Sequence, residues 1–376
     1  MKKENILIFA DSERDADMFY AVNTFVPDPF IYMRILGVNL VIVNNLEVDR
    51  LRRTAQHCVV LSLNDLVSRL GLNISKPETY AAVISSILRS REIYKIKVPS
   101  SFPVGMSFWL ARYGVKVEPA QGPIFPEREF KTQREIQYIQ ESLSIAEAGM
   151  AAAQKVLRSS SIDKNNILRY QGGILTAEKL RSIIETTMLA AGGLATHTIV
   201  APGVQACDPH EEGYGPIKAH EPIIIDIFPR SKHSGYFGDI TRTFIKGRAA
   251  EPAKKLYETI ALAQTTAINM VKPGVRAKLI HEAVEKIFEQ NGFKTGKMNG
   301  YIQGFFHGTG HALGLEIHEE PRINKTTDAV LKPGHVITIE PGLYYRDIGG
   351  VRLEDVVLVT DHGHENLTRF PKVFEV

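Results

Sequence analysis

The sequence predicts two domains of different class: a three-layer α/β domain over residues 1–126 and an α+β domain over residues 127–376. Three observations lead there. Strand-like and helical runs alternate through the first third of the chain. A segment rich in proline, glycine and charge, G-P-I-F-P-E-R-E-F-K-T, then interrupts the alternation within 121–132. Beyond it, long helical repeats stand apart from runs of strand, the pattern of helices segregated from a largely antiparallel sheet.

The elements follow in order. Apolar, β-rich runs occur at 5–10, 39–43, 59–63 and 94–98, with helical spacing between them, as in 80–89. T-Q-R-E at 132–135 is a capping box, with Thr132 as N-cap and Glu135 three residues on. Ile136, Ile139, Leu143, Ala146 and Met150 then repeat at helical spacing. Further amphipathic helices are expected at 176–189, 252–271 and 277–290, the last stopped by Asn291-Gly292. Strands fill the remainder from His197 onward. H-E-P-I-I-I-D-I-F and P-G-H-V-I-T-I-E-P-G echo one another, each placing a carboxylate late in an apolar run. Two such half-domains would bring both carboxylates to one centre.

Composition bounds the function. At 376 residues, 44% hydrophobic and 23% charged, the chain can bury a large core. The net charge of +3 comes from 45 basic and 42 acidic residues, without a basic run, and argues against nucleic acid. No stretch approaches the ~20 apolar residues that span a bilayer, and the start lacks the apolar core of a signal peptide. Cys58 and Cys207 give neither a disulfide framework nor a zinc-knuckle spacing, so a reducing cytoplasm is expected.

The chemistry lies in the last third. Asp226 ends the run I-I-I-D-I-F, and Asp239 follows across a turn containing Pro229, Gly235 and Gly238, so a hairpin would aim both at one spot. Glu340 closes V-I-T-I-E-P and Glu354 interrupts V-R-L-E-D-V-V-L-V. A charge at a core-facing strand position must be paired, neutralised or metal-bound. A lone Asp is more often a turn cap, and either glutamate could sit in a buried ion pair, for example Glu354 with Arg352 or Arg242. His311, in F-H-G-T-G-H-A-L-G-L-E-I-H-E-E-P, completes a set of four carboxylates and one imidazole. That hard, oxygen-rich set suits two divalent ions, with Mn²⁺ favoured and Co²⁺, Fe²⁺ or Zn²⁺ as alternatives. H-E-x-x-H and G-x-S-x-G are absent, and G-T-G-H-A-L-G lacks the spacing of a dinucleotide fingerprint.

H-G-T-G-H-x-x-G-L-x-x-H-E-x-P, D-I-T-R-T and E-P-G-L-Y resemble the pita-bread metallopeptidase family, and within it the aminopeptidase P and prolidase branch. The resemblance implies a creatinase/prolidase-like N-terminal domain and a pita-bread catalytic domain. It implies that Asp226, Asp239, His311, Glu340 and Glu354 bind two metals, with Asp239 and Glu354 bridging. Glu340 would also shuttle a proton, and His318 would donate to the oxyanion. His307 and His210 would line the substrate pocket, with Arg352 supporting the site or a substrate carboxylate. The remaining histidines, His197, His220, His233, His281, His335, His362 and His364, are expected to be structural or exposed. The sequence departs from the family in a longer gap between Asp226 and Asp239, and in Ala312 where a glycine is usual, whose methyl is expected to narrow the pocket. The implied activity is cleavage of an N-terminal Xaa-Pro bond in peptides by an aminopeptidase P-like enzyme, or in dipeptides alone by a prolidase. The competing class is a non-catalytic peptide- or protein-binding module on the same fold. Proline-containing peptides are the expected partners, with no nucleic acid or membrane, and a homo-oligomer, dimer or higher, is implied by the family.

Overall fold

The computed structural model describes residues 4–76 and 78–376, and the chain divides into two compact units between Pro126 and Glu127. The first three residues of the predicted N-terminal domain and its Pro77 lie outside the described residues.

The N-terminal unit is built on a six-stranded sheet in the order Val59–Ser62, Val38–Val43, Phe30–Ile35, Ile6–Ala10, Lys95–Val98, Lys116–Pro119. Alternation splits its side chains between two cores. Leu7, Ile31, Met33 and Ile42 pack beneath Val83, Ile84 and Leu88 of the Thr79–Arg89 helix. Ile6, Ile8, Tyr32 and Val41 pack on the other face against Met18 and Leu51. Helices on both faces make the three layers that the alternation predicts. Phe30–Ile35 and Lys116–Pro119 add strands that the sequence reading had not singled out, and Phe30–Ile35 runs antiparallel between its neighbours.

The second unit opens with the capping box. Thr132 accepts from the Glu135 N–H and caps the helix Gln133–Ser159, and Ile136, Ile139, Leu143, Ala146 and Met150 are its buried stripe. The helix Ala177–Ala190 packs close to it, because a Cβ at Gly149 would lie only 2.8 Å from Met188. Together they cover an antiparallel sheet of Ile199–Pro202, Ile223–Ile227 and Ile240–Phe244. A second pair of helices, Glu251–Met270 and Ala277–Gln290, covers an antiparallel sheet in the order Glu319–Ile323, Gly310–Ala312, Val336–Ile339, Asp355–Val359, His364–Asn366. Asp226 thus lies in one helix-backed sheet, and Glu340 directly follows a strand of the other, which is the arrangement the internal echo anticipates. No described helix is long and apolar enough to cross a membrane.

Candidate metal centre

Strand alternation aims Asp226. Ile225 and Ile227 turn into the core under the helices, while Ile224 packs on the opposite face with Tyr344. Asp226 shares that second face. Thr241 stands directly across from Asp226 on the neighbouring strand, and Asp239 immediately precedes that strand.

His311 is held through its backbone, whose N–H donates to Thr338 Oγ1 at 3.1 Å. Its neighbour Gly310 has no room for a side chain, since a Cβ would sit 1.9 Å from the Thr338 carbonyl oxygen. Glu340 is fixed in the same way, its N–H donating to the Thr309 carbonyl at 2.7 Å. Glu354 lies at the junction between Gly349–Arg352 and Asp355–Val359, not inside a strand as its apolar surroundings suggested. The break in pairing frees its backbone N–H to reach the Thr241 carbonyl at 3.1 Å.

All nine residues singled out from the sequence line one cavity of about 840 Å³: Asp226, Asp239, His311, Glu340, Glu354, His318, His307, His210 and Arg352. Atoms of Asp239, His311 and Glu354 that could ligate a metal lie within 4.8 Å of one another. His311 Nε2 is 3.7 Å from Asp239 and 3.6 Å from Glu340. Its Nδ1–H donates to the Ala312 carbonyl at 3.1 Å, which leaves Nε2 with a free lone pair toward the carboxylates.

The electrostatics describe a site short of positive charge. Burial, then Glu354, Asp226 and Glu340, push Asp239 well above the usual carboxylate range. Burial, then Glu340 and Asp226, do the same to Glu354. Burial pushes Glu340 up to about 8 against the pull of Arg352. Burial, with His318 nearby, drives His311 down to about 3, so its ring is neutral and able to ligate. Asp226 Oδ1 is buried without a hydrogen-bond partner. A crowded carboxylate set, an orphaned carboxylate oxygen and an imidazole lone pair aimed among them fit divalent cations.

The supporting bonds differ from the simplest sequence expectation. Neither Arg352 nor Arg242 pairs with the Glu354 carboxylate. Thr241 Oγ1 donates to it at 2.7 Å, while Arg352 donates to Asp226 at 2.6 Å and Arg242 to Asp355 at 2.9 Å. Arg352 also donates to the Tyr344 hydroxyl at 2.9 Å, which in turn donates to His307 Nε2 at 2.8 Å. His307 Nδ1–H is bonded to the Gly308 carbonyl at 2.7 Å, so both ring nitrogens are occupied and only its carbon edge and face remain for a substrate. Burial, then Arg352, holds His307 down to about 3. His318 stands edge-on to His311, ring centres 4.5 Å apart. Burial, with Arg322 nearby, lowers its pKa, so it presents one N–H as a neutral imidazole. His210 is exposed at the cavity wall.

Four further residues matter that the sequence reading had left unassigned or placed elsewhere. Thr241 and Tyr344 orient the residues just described. His197 lines the cavity as well as being exposed, paired with Glu212 at 3.0 Å. Arg322 also lines it, and its nearest carboxylate, Glu320, is 4.0 Å away. Thr241 and Tyr344 sit in D-I-T-R-T and E-P-G-L-Y, which offered a signal; Arg322, four residues after His318, offered none without the fold. Ala312 does not narrow the cavity, because its methyl is fully buried in the core with Ile323 and Ile337. Among the other histidines, His335 bonds Glu129 and His281 bonds Thr309, both buried.

Two antiparallel half-sheets that bring five metal-capable side chains to one cavity make a candidate carboxylate-rich metal centre in a fold of the pita-bread kind. The chain belongs to metallopeptidase family M24, whose profile matches residues 137–361. It is similar to the Xaa-Pro dipeptidase of Pyrococcus furiosus, at 34% identity over 243 residues. The matched stretch spans 64% of this chain and 64% of that protein's length. The prolidase from Pyrococcus horikoshii OT3 superposes with a TM-score of 0.80 at 25% identity, over 98% of this chain and 94% of that one. The Xaa-Pro dipeptidase from Bacillus anthracis shares the fold with a TM-score of 0.83 at 23% identity, over 99% and 95%.

Proposed function

We propose that this chain hydrolyses the bond between an N-terminal residue and a following proline, with Xaa-Pro dipeptides preferred over longer peptides. The observation that carries the reading is the convergence of Asp226, Asp239, His311, Glu340 and Glu354 in one cavity. These five would hold two divalent cations, Mn²⁺ by the hardness of the set, with Co²⁺, Fe²⁺ or Zn²⁺ as alternatives. Such cations would supply Lewis-acid polarisation of the scissile carbonyl and a water acidic enough to ionise near neutral pH.

The chain's own groups do the rest. Glu340 takes the proton of the attacking water and returns it to the departing proline nitrogen. His318 donates its N–H to the carbonyl oxygen as negative charge develops there. Arg352 and Thr241 hold Asp226 and Glu354 in place. Proline has no amide N–H for a protein acceptor to read, so recognition falls to shape, and Ile199, Phe228, Phe306, Ile317 and the carbon edge of His307 are among the apolar walls of the cavity.

Arg322 supports the preference for dipeptides. A dipeptide carries its free carboxylate on the proline itself, and burying that charge requires a cation. Arg352 is occupied by Asp226 and Tyr344, whereas Arg322 faces the cavity with only a distant carboxylate partner. The dipeptidase and prolidase names of the relatives support the same choice. A purely binding module would have no use for this set of buried, mutually repelling carboxylates, which argues for catalysis. Hydrolysis of a matched Xaa-Pro dipeptide and Xaa-Pro-Yaa tripeptide by the Mn²⁺-loaded protein is the test. Cleavage of the dipeptide, impaired by Arg322→Met, is expected; faster cleavage of the tripeptide would make the protein an aminopeptidase P.

A further inference from the structure

His318 follows a short loop and immediately precedes the strand Glu319–Ile323. The next residue ties that loop down, alongside a bond from the Phe237 N–H to the Gly314 carbonyl at 2.8 Å. The Glu319 side chain turns away from the cavity, and every oxygen of its carboxylate is used. Oε1 accepts the backbone N–H groups of Leu315 and Glu316 at 3.1 and 3.2 Å, and Arg128 Nη2 at 2.8 Å. Oε2 accepts Lys131 Nζ at 2.7 Å. The fit leaves no space for a side chain at Gly314, whose Cβ would lie 2.8 Å from Glu319 Oε2. Lys131 is almost wholly enclosed, its side chain 1% exposed against 7% for Glu319 and 11% for Arg128.

Apolar residues of similar volume often stabilise a fold as well as a buried ion pair does. An enclosed lysine beneath a loop therefore needs a reason other than stability. Position supplies one. The same segment is tied a second time, to the turn that leads into Val336–Ile339 and so to Glu340. The Lys131 N–H donates to the Gly334 carbonyl at 2.8 Å, Glu129 bonds His335 at 2.9 Å, and Phe130 stacks on the His335 ring at 4.9 Å. Arg128 and Lys131 precede residues 137–361, the stretch that the family profile matches.

We infer that Lys131, assisted by Arg128, is a positioning residue: it grips the Glu319 carboxylate, which grips the loop that presents His318 beside His311. This rests on the reading of His318 as the donor to the developing oxyanion. Burial opposes the charge on Glu319, yet Lys131 and Arg128 hold its pKa below the ordinary value, so the grip is ionic at neutral pH. Lys131→Met keeps the length of the side chain and removes both the charge and the donors. Glu319 then loses its Oε2 partner and the loop has more than one arrangement available. The consequence is a His318 N–H that is off target in the transition state while substrate and metal still bind.

The experiment is a double-mutant cycle on the Mn²⁺-loaded full chain, reading kcat, KM and bound metal. Lys131→Met is expected to lower kcat about 10-fold, a part of the ~10²–10³-fold that removal of an oxyanion donor costs. KM and metal content stay level, and Lys131→Arg restores most of the rate. In a His318→Ala background the same Lys131→Met change is expected to alter kcat by less than about 2-fold. An equal fall in both backgrounds would mean a general structural role and overturns the inference, as does an unchanged kcat for Lys131→Met in the otherwise wild-type protein. If Lys131→Met does not fold, Glu319→Gln takes its place, because the amide oxygen still accepts from Leu315 and Glu316 while the ionic grip is lost. A His318→Ala enzyme with normal kcat, by contrast, overturns the role of His318 itself and leaves the metal centre untouched.

Discussion

Stripped of divalent cations, the protein should lose stability as the pH rises from about 7 to about 8. The cause is Glu340, which burial raises to about 8 in the folded chain. The folded state holds a proton on this carboxyl at pH 7 that the unfolded state, with an ordinary carboxyl, has released. Stability falls with pH wherever the folded state binds more protons, and levels off above the folded pKa. One such proton is worth about 1.4 kcal/mol per pH unit. Asp239 and Glu354 are displaced in the same direction by burial and by their neighbouring carboxylates, so their contributions carry the same sign. The depressed histidines His307 and His311 act oppositely, but only below the ordinary histidine value, so they do not mask the effect. At roughly 2–4 °C per kcal/mol for a domain of this size, Tm should drop by about 3–6 °C over that pH unit. The assay is thermal unfolding of chelated protein at a series of pH values, with and without added Mn²⁺. Cation binding ionises the carboxylates in the folded state and should flatten the slope, as should Glu340→Gln in part. Chelated protein whose Tm is level or rises over the same range would refute the reasoning.

Asp239→Asn and Glu354→Gln should each lose bound metal and activity together, checked by elemental analysis beside hydrolysis; full activity with either would rule out the proposed ligand set. Tyr344→Phe leaves His307 Nε2 and one Arg352 donor unsatisfied, so a stability loss of about 1–3 kcal/mol is expected by denaturant unfolding. Glu319 has a folded pKa below its ordinary 4.5, so its contribution is present above that value and lost as pH falls through the lower one. Glu319→Gln should therefore flatten the acid limb of the stability profile below about pH 4.5, measured by denaturant midpoint; an unchanged acid limb would mean the pair does not stabilise the fold.

The parts of this protein legible in its sequence are those with a local signature. The Thr132–Glu135 capping box and its apolar stripe announce the Gln133–Ser159 helix. Asp226 and Glu340 are conspicuous because a carboxylate in an apolar run demands a physical reason. The Phe30–Ile35 strand has the right composition, F-I-Y-M-R-I, yet its antiparallel place in the middle of the sheet is a tertiary choice. Glu354 looks like a strand residue because its neighbours are buried; the break in pairing beside it depends on Thr241, far away in the chain. Partner choice was least visible. Arg352 is two residues from Glu354 in sequence but bonds Asp226, 126 residues away, and Lys131 bonds Glu319 across 188 residues. No local pattern encodes such pairs; only the meeting of two half-sheets creates them.

The most direct test of the central claim is a titration of metal-free protein with Mn²⁺ while hydrolysis of an Xaa-Pro dipeptide is followed. Activity that rises with bound cation, disappears with chelator and is absent from Asp239→Asn is the predicted result. Full hydrolysis by the chelated protein, or none by a protein shown to carry its metal, would contradict it.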